Sequence, residues 1–342
     1  MFQHLRATLW LLLLTLVICS VLYPLGLWAV GQTVFRHRAQ GGMLDGKGEA
    51  ASSPENAVGA RLIAQPFSGD GYFQPRPSAA SYNASASGAS NWGPSNYLLR
   101  DRVARQLGPI VKYRSGSKKG HPVGPDIDAW FKSKPGIVAK WANAHPAVAS
   151  AWVKADKLNT EYVALWQKDH PKEVAKWFEE NPGTPEPKPE DLAVPFFVSY
   201  SQAHPATFPA AVERKGPNGG KIPKGIEPVE EGSDIQGTFF DMWLQEHPKT
   251  DLEPVPADMV MASGSGLDPH ITLKNALYQL DRVAATWAAD TKRDLVTVRK
   301  EIEELLHRKK EAPLMGLAGV DLVNVLEVNL ALREAMRVAV AK

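Results

Sequence analysis

The chain's hydrophobic residues are concentrated at its start. No Asp, Glu, Lys or Arg lies between Arg6 and Arg36, and the run Leu9-Trp10-Leu11-Leu12-Leu13-Leu14-Thr15-Leu16-Val17-Ile18 is almost wholly apolar. About 20 apolar residues cross a bilayer as a helix, and no later stretch reaches that length. The pattern predicts a transmembrane anchor over residues 1–35. Pro24 is expected to end or kink this helix near its outer end, and Tyr23 and Trp28 suit an interfacial aromatic belt. A cleaved signal peptide has a shorter apolar core and a small-x-small site. The best such site, Ala29-Val30-Gly31, comes late, and Ile18 before Cys19 is too large for a lipid-modified cysteine. An uncleaved anchor with a large water-soluble body on one side is the expectation.

The body changes character along its length. Residues 31–57 are rich in Gly, Ala and Ser and read as a tether. In residues 58–107, Arg61-Leu62-Ile63-Ala64-Gln65-Pro66-Phe67 reads as a short strand ended by Pro66. An ordered loop dense in turn formers follows, then a helix over 96–107 with Leu98, Leu99, Val103 and Leu107 near one face. From about 110 to 255 a repeat appears. Trp is followed five residues later by Pro at Trp130/Pro135, Trp141/Pro146, Trp166/Pro171, Trp177/Pro182 and Trp243/Pro248, and Pro six residues later by Trp at Pro135/Trp141, Pro146/Trp152 and Pro171/Trp177. This eleven-residue unit predicts short helices opened by Pro and carrying Trp near their ends. Residues 181–232 are dominated by Pro and Gly and should hold little regular structure. Past 255 the pattern predicts a helix over 274–289 capped by Thr272, a second over 294–310 with Leu295, Val298, Ile302, Leu305 and Leu306 on one face, a short strand at 323–326 and a last helix over 327–341.

Composition narrows the classes of function. The formal net charge is +2 over 342 residues, so nothing argues for nucleic acid as a partner. Lys118-Lys119 and Arg308-Lys309-Lys310 are short and read as solvated loops or helix ends. The one cysteine, Cys19, sits in the apolar run, which excludes a disulfide or a Cys-based zinc site within one chain. Arg6 before the anchor against Arg36 and Arg38 after it would leave the body in the cytoplasm, but long domains translocate regardless of charge, so charge leaves the side open.

Several segments occur in the order of one known family. They are Tyr23-Pro24 in the anchor; Pro54-Glu55-Asn56-Ala57-Val58-Gly59; residues 61–67; Tyr72-Phe73; Arg76-Pro77-Ser78-Ala79; Tyr82-Asn83; Ser87-Gly88-Ala89-Ser90-Asn91; Pro94-Ser95-Asn96; Ala262-Ser263-Gly264-Ser265-Gly266-Leu267-Asp268-Pro269-His270-Ile271; and Val323-Asn324-Val325-Leu326-Glu327-Val328-Asn329-Leu330. With these, the chain resembles the C subunit of the Kdp-type potassium-transporting ATPase over about half its length. The resemblance implies an α+β protein: one transmembrane helix, then a mixed α/β body outside the membrane. That body would run over 36–110 and 256–342, interrupted by the mainly helical Trp/Pro-rich insertion 111–255, which has no counterpart. It also implies a bacterial cell-membrane location with the body on the outer side. The implied partners are a channel-like potassium subunit, a P-type ATPase subunit, a small stabilising subunit and membrane lipid. The family has been described as a catalytic chaperone that raises the pump's ATP affinity, although an outer body cannot readily touch cytoplasmic ATP. No cofactor is assigned to this chain by the resemblance, and ATP is implied through the complex.

The candidate site is the loop Ser87, Gly88, Ala89, Ser90 and Asn91, read either as a nucleotide-contacting loop whose N–H groups cradle phosphate or as an ordered interface loop. It lacks the Gly-x-x-x-x-Gly-Lys pattern and a basic side chain. Gly264-Ser265-Gly266 is weighed in the same way, as an anion-binding turn or a plain cap. Asp268-Pro269-His270 lacks the other members of a catalytic set. His121, His145, His170, His204 and His247 each precede Pro and read as helix-boundary residues rather than metal ligands. No Gly-x-Ser-x-Gly elbow is present. The Trp repeat reads as core rather than recognition surface. The expectation is a non-catalytic accessory subunit; the alternatives are a membrane-tethered protein whose Trp-rich insertion captures a ligand or wall component, and last an enzyme using the Ser-rich loop.

Overall fold

The computed structural model describes residues 2–215 and 221–340. It divides into two compact units, Met1–Ser90 with Pro256–Lys342, and Asn91–Val255.

The first unit begins with Phe2–Val17 and Tyr23–Val34, α-helices joined without a break by one π-helical turn, Ile18–Leu22. His4–Val34 is thus one helix of 31 residues, and none of its most apolar stretch is buried against the rest of the chain. By length and composition it can cross a membrane. Pro24 does not end it, the first of the two outcomes expected from sequence. Tyr23 N–H donates to Ile18 O, an i→i−5 bond that widens the turn before Pro24. That spares the helix the clash between the proline ring and the i−4 carbonyl. The hydroxyls of Thr15 and Thr33 donate to Leu11 O and Ala29 O at 2.8 Å each, so neither needs a water partner. The expected tether at 31 is still helix, and a second short helix, Arg36–Ala39, precedes the body.

The rest of this unit is α+β. Strand His270–Thr272 pairs antiparallel with Leu322–Asn324, which also pairs with Lys310–Glu311. Helices Leu273–Thr291, Leu295–Lys309 and Val325–Val340 pack with this sheet around Ile271, Leu280, Val283, Ile302, Leu306 and Val328. The helix starts follow the sequence signals: Asn275 N–H donates to Thr272 Oγ1 at 3.1 Å and Thr297 N–H to Asp294 Oδ2 at 2.8 Å. Val298, Ile302, Leu305 and Leu306 share the buried face, but Leu295, in the first turn, is exposed. The end expected for the last helix, 341, lies outside the described residues. The strand expected at 61–67 is displaced. Gly59–Ala60 pairs with Met43–Leu44, and then Ile63 N–H closes a turn on Ala60 O. The chain turns there because Arg61 is drawn aside by Glu311 and Glu327 at 2.5 and 2.8 Å.

The second unit is mainly helical. Its helices include Gly124–Lys132, Ile137–Ala144, Pro146–Ala155, Lys157–Asp169, Pro171–Glu180 and Ser233–Glu246. Each carries its Trp in the last turn or two, as the eleven-residue unit predicts. Trp130, Trp141, Trp152 and Trp243 are buried. Trp141 meets Phe197 and Phe208 edge-on at 5.1 and 5.7 Å between ring centroids, the arrangement the aromatic quadrupole favours. These tryptophans form the core of the unit. The helices also end alike. His145, His170 and His247 turn Nδ1 onto the carbonyl four residues back, of Trp141, Trp166 and Trp243, at 3.1, 2.8 and 2.8 Å. Asn181 does the same to Trp177 O at 2.9 Å. The His170 and His247 rings stack on their tryptophans at 4.4 and 4.7 Å. The following Pro keeps the capping residue out of helical geometry, and the cap side chain adds a second bond to a carbonyl that, at Trp141, Trp177 and Trp243, already accepts the capping residue's own N–H.

Residues 181–232 are more regular than their Pro and Gly content suggests. They hold a 3₁₀ turn, Pro189–Leu192, the helix Ala193–Ala203, and a hairpin of Phe208–Lys215 with Lys221–Val229. Pro195 falls in the first turn of its helix, where its missing N–H costs nothing, and Phe196, Phe197 and Tyr200 bury that helix. Pro209 faces Pro228 in the hairpin register. In a two-stranded ribbon both strands are edges, which is where proline is tolerated.

Replacing Trp141 by Ala is expected to destabilise the second unit by about 3–5 kcal/mol, read as loss of amide-exchange protection across residues 137–155. His247→Ala should cost about 1 kcal/mol, and His247→Asn, copying Asn181, should recover most of it. Equal losses in both His247 variants would refute the capping role.

Candidate functional site

Several of the segments that carry the family resemblance meet in the first unit. Residues 70–72 turn and bend and residues 73–74 continue past them, and side chains meet their backbone as a neighbouring strand would. Phe73 N–H donates to Asn329 Oδ1 at 2.9 Å, and Asn329 Nδ2 donates back to Phe73 O at 2.9 Å. Gln74 N–H donates to Gln279 Oε1 at 2.8 Å, and Gln279 Nε2 donates to Gln74 O at 3.1 Å. Arg282 reaches Asp70 O and Tyr72 O at 2.6 and 3.0 Å, and Trp287 Nε1 reaches Gly71 O at 2.7 Å. Behind Gln279 the network continues. Its Nε2 also donates to Asn275 Oδ1 at 2.8 Å, and Asn275 Nδ2 donates to Asp258 Oδ2 at 3.0 Å. Asp258 in turn accepts from Thr272 N–H at 2.8 Å. Burial lowers the pKa of the Arg282 guanidinium, and Asp70 opposes that shift.

The candidate loop lies just past this strap. Ser78 Oγ donates to Gly266 O at 2.6 Å. Gly88 N–H and Ser87 Oγ both donate to Ser265 O, at 2.9 and 3.0 Å. Gly266 has φ +69°, and a Cβ there would stand 2.8 Å from Gly88 O and 2.9 Å from Ala80 Cβ, so only glycine fits. Ala89 is exposed and Ser90 half-buried. Asn91, the first residue of the second unit, is exposed with φ +52°. Gly264-Ser265-Gly266 does not open a helix; strand His270–Thr272 intervenes, so no helix N-terminus serves it as an anion site.

Asp268 accepts from His270 N–H at 3.0 Å, lies 3.3 Å from His270 Nδ1 and faces Arg76 at 3.5 Å. The His270 side-chain hydrogen bond, with the His270 backbone N–H and the Arg76 charge, holds the Asp268 carboxyl below its ordinary value against a desolvation cost. Arg76 also reaches Ala262 O at 3.3 Å. Chemically this is a polar clasp that fixes loop 262–270 to loop 76–88. The Arg76 Nη1 and Nη2 donors are engaged within the chain, while the buried Arg76 Nε has no partner.

The structure brings Ser87 and Gly88 onto the Ser263–Gly266 turn, as a shared site requires. Sequence reasoning did not find Gln279, Asn329, Asn275, Arg282 or Asp258. A signal existed: Asn275 and Gln279, four apart, interrupt the apolar face of Ala276, Leu280 and Val283, and a polar residue on a buried face calls for a partner. In the second unit, a cavity of about 340 Å³ is lined by Ala104, Trp141, Val148 and Met242. The acids at its rim are paired, Asp241 with Arg100 at 2.8 Å and Asp101 with Arg105 at 2.9 Å. Burial pushes the Asp101 carboxyl up.

The first unit thus joins an apolar helix long enough to cross a membrane to an α+β body closed by side-chain clamps. Comparison with known proteins is more specific. Residues 5–137 and 232–334 match the family described as "K+-transporting ATPase, c chain", and the chain belongs to that family. Residues 138–231 lie outside the match. Among its relatives is the potassium-transporting ATPase KdpC subunit of Pseudomonas putida (strain W619), 44% identical over 114 residues, which cover 33% of this chain and 58% of the relative. The KdpC subunit of Rhodospirillum rubrum is 36% identical over 157 residues, 44% of this chain and 76% of the relative. That of Koribacter versatilis is 38% identical over 104 residues, 30% of this chain and 50% of the relative. The chain thus spans half to three-fifths of the length of most of the curated relatives it matches.

Asn329→Leu should leave the buried N–H and C=O of Phe73 without partners and destabilise the first unit by on the order of 3 kcal/mol, visible as early proteolysis within residues 60–90. Asp268 has a folded-state pKa below its unfolded one. Its contribution is therefore fully present above about pH 4 and lost as pH falls further. Asp268→Asn should flatten the stability profile below about pH 4 and leave the slope above it unchanged; an unaltered acid limb would refute the assignment.

Proposed function

We propose that this chain is the accessory C subunit of an ATP-driven potassium importer. Its anchor packs among the pump's transmembrane helices. Its body stands on the outer side, bracing the channel-like potassium subunit and shaping the ion entrance. It performs no chemistry of its own, and its partners are a channel-like subunit, a P-type ATPase subunit and a small stabilising subunit. The observation that carries this reading is that Ser87 and Gly88 are fastened to Ser265 in the Ser263–Gly266 turn, while the buried Asn329 clamps Phe73. The loop donors Ser87 Oγ and Gly88 N–H are spent on the chain itself, which suits an interface of fixed shape better than a phosphate cradle. On that ground Ser87, Gly88, Ala89, Ser90 and Asn91 form an interface loop, and any effect on ATP affinity passes through the ATPase subunit. The alternative, ligand capture by the Trp-rich insertion, is disfavoured because Trp130, Trp141, Trp152 and Trp243 are spent in its core.

Affinity purification of the tagged full chain from detergent-solubilised membranes should recover a P-type ATPase and a channel-like membrane protein; recovery of neither sinks the reading. The side of the membrane is tested separately. In a Cys19→Ser background, Ser85→Cys should react with a membrane-impermeant maleimide on spheroplasts. Labelling only after lysis would place the body inside.

A further inference from the structure

The first unit exposes Leu317 and Val320 in an uncharged loop. Residues 313–320 read Pro-Leu-Met-Gly-Leu-Ala-Gly-Val, with Leu317 88% and Val320 60% exposed. The two acids that border the loop are neutralised. Glu311 pairs with Arg61 at 2.5 Å and Asp321 with Lys310 at 2.7 Å. His307, Arg308 and Lys309 are exposed in the last turn of the helix that leads into it, with Glu304 one turn earlier. The loop is therefore an apolar tip with a cationic rim.

Its position follows from three contacts. The apolar helix ends at Val34. Gly42 N–H donates to His37 O at 2.9 Å, Arg61 N–H donates to Gly42 O at 3.0 Å, and the Arg61 guanidinium holds Glu311. The foot of the anchor is thereby tied to the flank of the loop. The helix Leu295–Lys309 carries its other end, with the equally exposed Val296, about 20 Å away at 1.5 Å per residue.

We propose that loop 313–320 is a second membrane contact. Leu317 and Val320 enter the boundary between headgroups and acyl chains beside the anchor, and Arg308 and Lys309 lie against anionic headgroups. Apolar side chains with a basic rim are the usual chemistry of an interfacial lipid contact, and the tether to the anchor holds the loop near the surface without further cost. This rests on the reading of residues 4–34 as a membrane span.

The test places a nitroxide at Leu317→Cys in the full chain with Cys19→Ser, reconstituted in vesicles of phosphatidylethanolamine and phosphatidylglycerol. Labels at Leu14→Cys in the anchor and Val296→Cys at the distal helix end serve as references. Relaxation by oxygen, which concentrates in lipid, is compared with relaxation by a water-soluble nickel chelate. At 317 the oxygen-to-nickel ratio should approach that at 14 and exceed that at 296 several-fold. It should fall when phosphatidylglycerol is replaced by phosphatidylcholine. A lipid-like value at 14 with a water-like value at 317 overturns the loop contact alone, whereas water-like values at both overturn the anchor as well. Shielding of 317 from both reagents only when the pump subunits are present would assign the loop to a protein partner and overturn the proposal.

Discussion

The body of this protein depends on two side-chain amides. Asn329 and Gln279 each offer one donor and one acceptor to a single residue of the strap, Phe73 and Gln74. Apart from the backbone itself, only an amide side chain presents both groups in the spacing a neighbouring strand would. Residues 70–74 bury backbone that has no strand beside it, and buried N–H and C=O groups must find partners. The amides supply them from helices. Each pair joins positions more than 200 residues apart, so residues 91–255 lie inside the loop that each clamp closes. Closure cost grows only with the logarithm of loop length, and a unit that folds on its own core does not add its length as free chain. The clamps can therefore tolerate a large insertion between them.

The second unit is built by a different rule. Its helices are short, and four of the stops are written locally, at Trp141, Trp166, Trp177 and Trp243: an aromatic residue, a capping His or Asn four positions on, then Pro. The Pro forbids continuation, the cap side chain adds a bond to the carbonyl of the aromatic residue, and the His170 and His247 rings extend the aromatic surface. Because stop and core share the same residues, the sequence repeats wherever the helix does.

The anchor, the helix boundaries after 270 and the Trp helices were legible because each has a periodic or capping signal within a few residues. Thr272 and Asp294 cap where their side chains could be read to cap. Failures came where distant contacts decide. Residues 61–67 read as a short strand ended by Pro66, but Arg61 is paired with Glu311 and Glu327, 250 and 266 positions downstream. The helix Ala193–Ala203 was hidden by surrounding prolines, since composition averages over Pro195 at a helix start and Pro209 in an edge strand, two places where proline is harmless. Pro24 in the anchor misled for the same reason: a π-turn absorbs it. Of the candidate site, the small-residue loops were visible and the amides that hold them were not, because Gln279 and Asn329 show their purpose only beside Phe73 and Gln74.

The electrostatics of the clasp argue for shape over chemistry. A phosphate site needs donors that stay unspent until the ligand arrives and a cation to balance it. Here Gly88 N–H and Ser87 Oγ converge on one carbonyl, and Arg76, the cation closest to the turn, is engaged by Asp268 and Ala262 O. An arriving anion would have to displace these bonds and would meet the Asp268 carboxylate, which the clasp keeps ionised. The left-handed Gly266, closed against Gly88 O, leaves no room for an incoming oxygen between the two loops. What the arrangement preserves is a surface of fixed contour, assembled from both ends of the chain and independent of what is inserted between them.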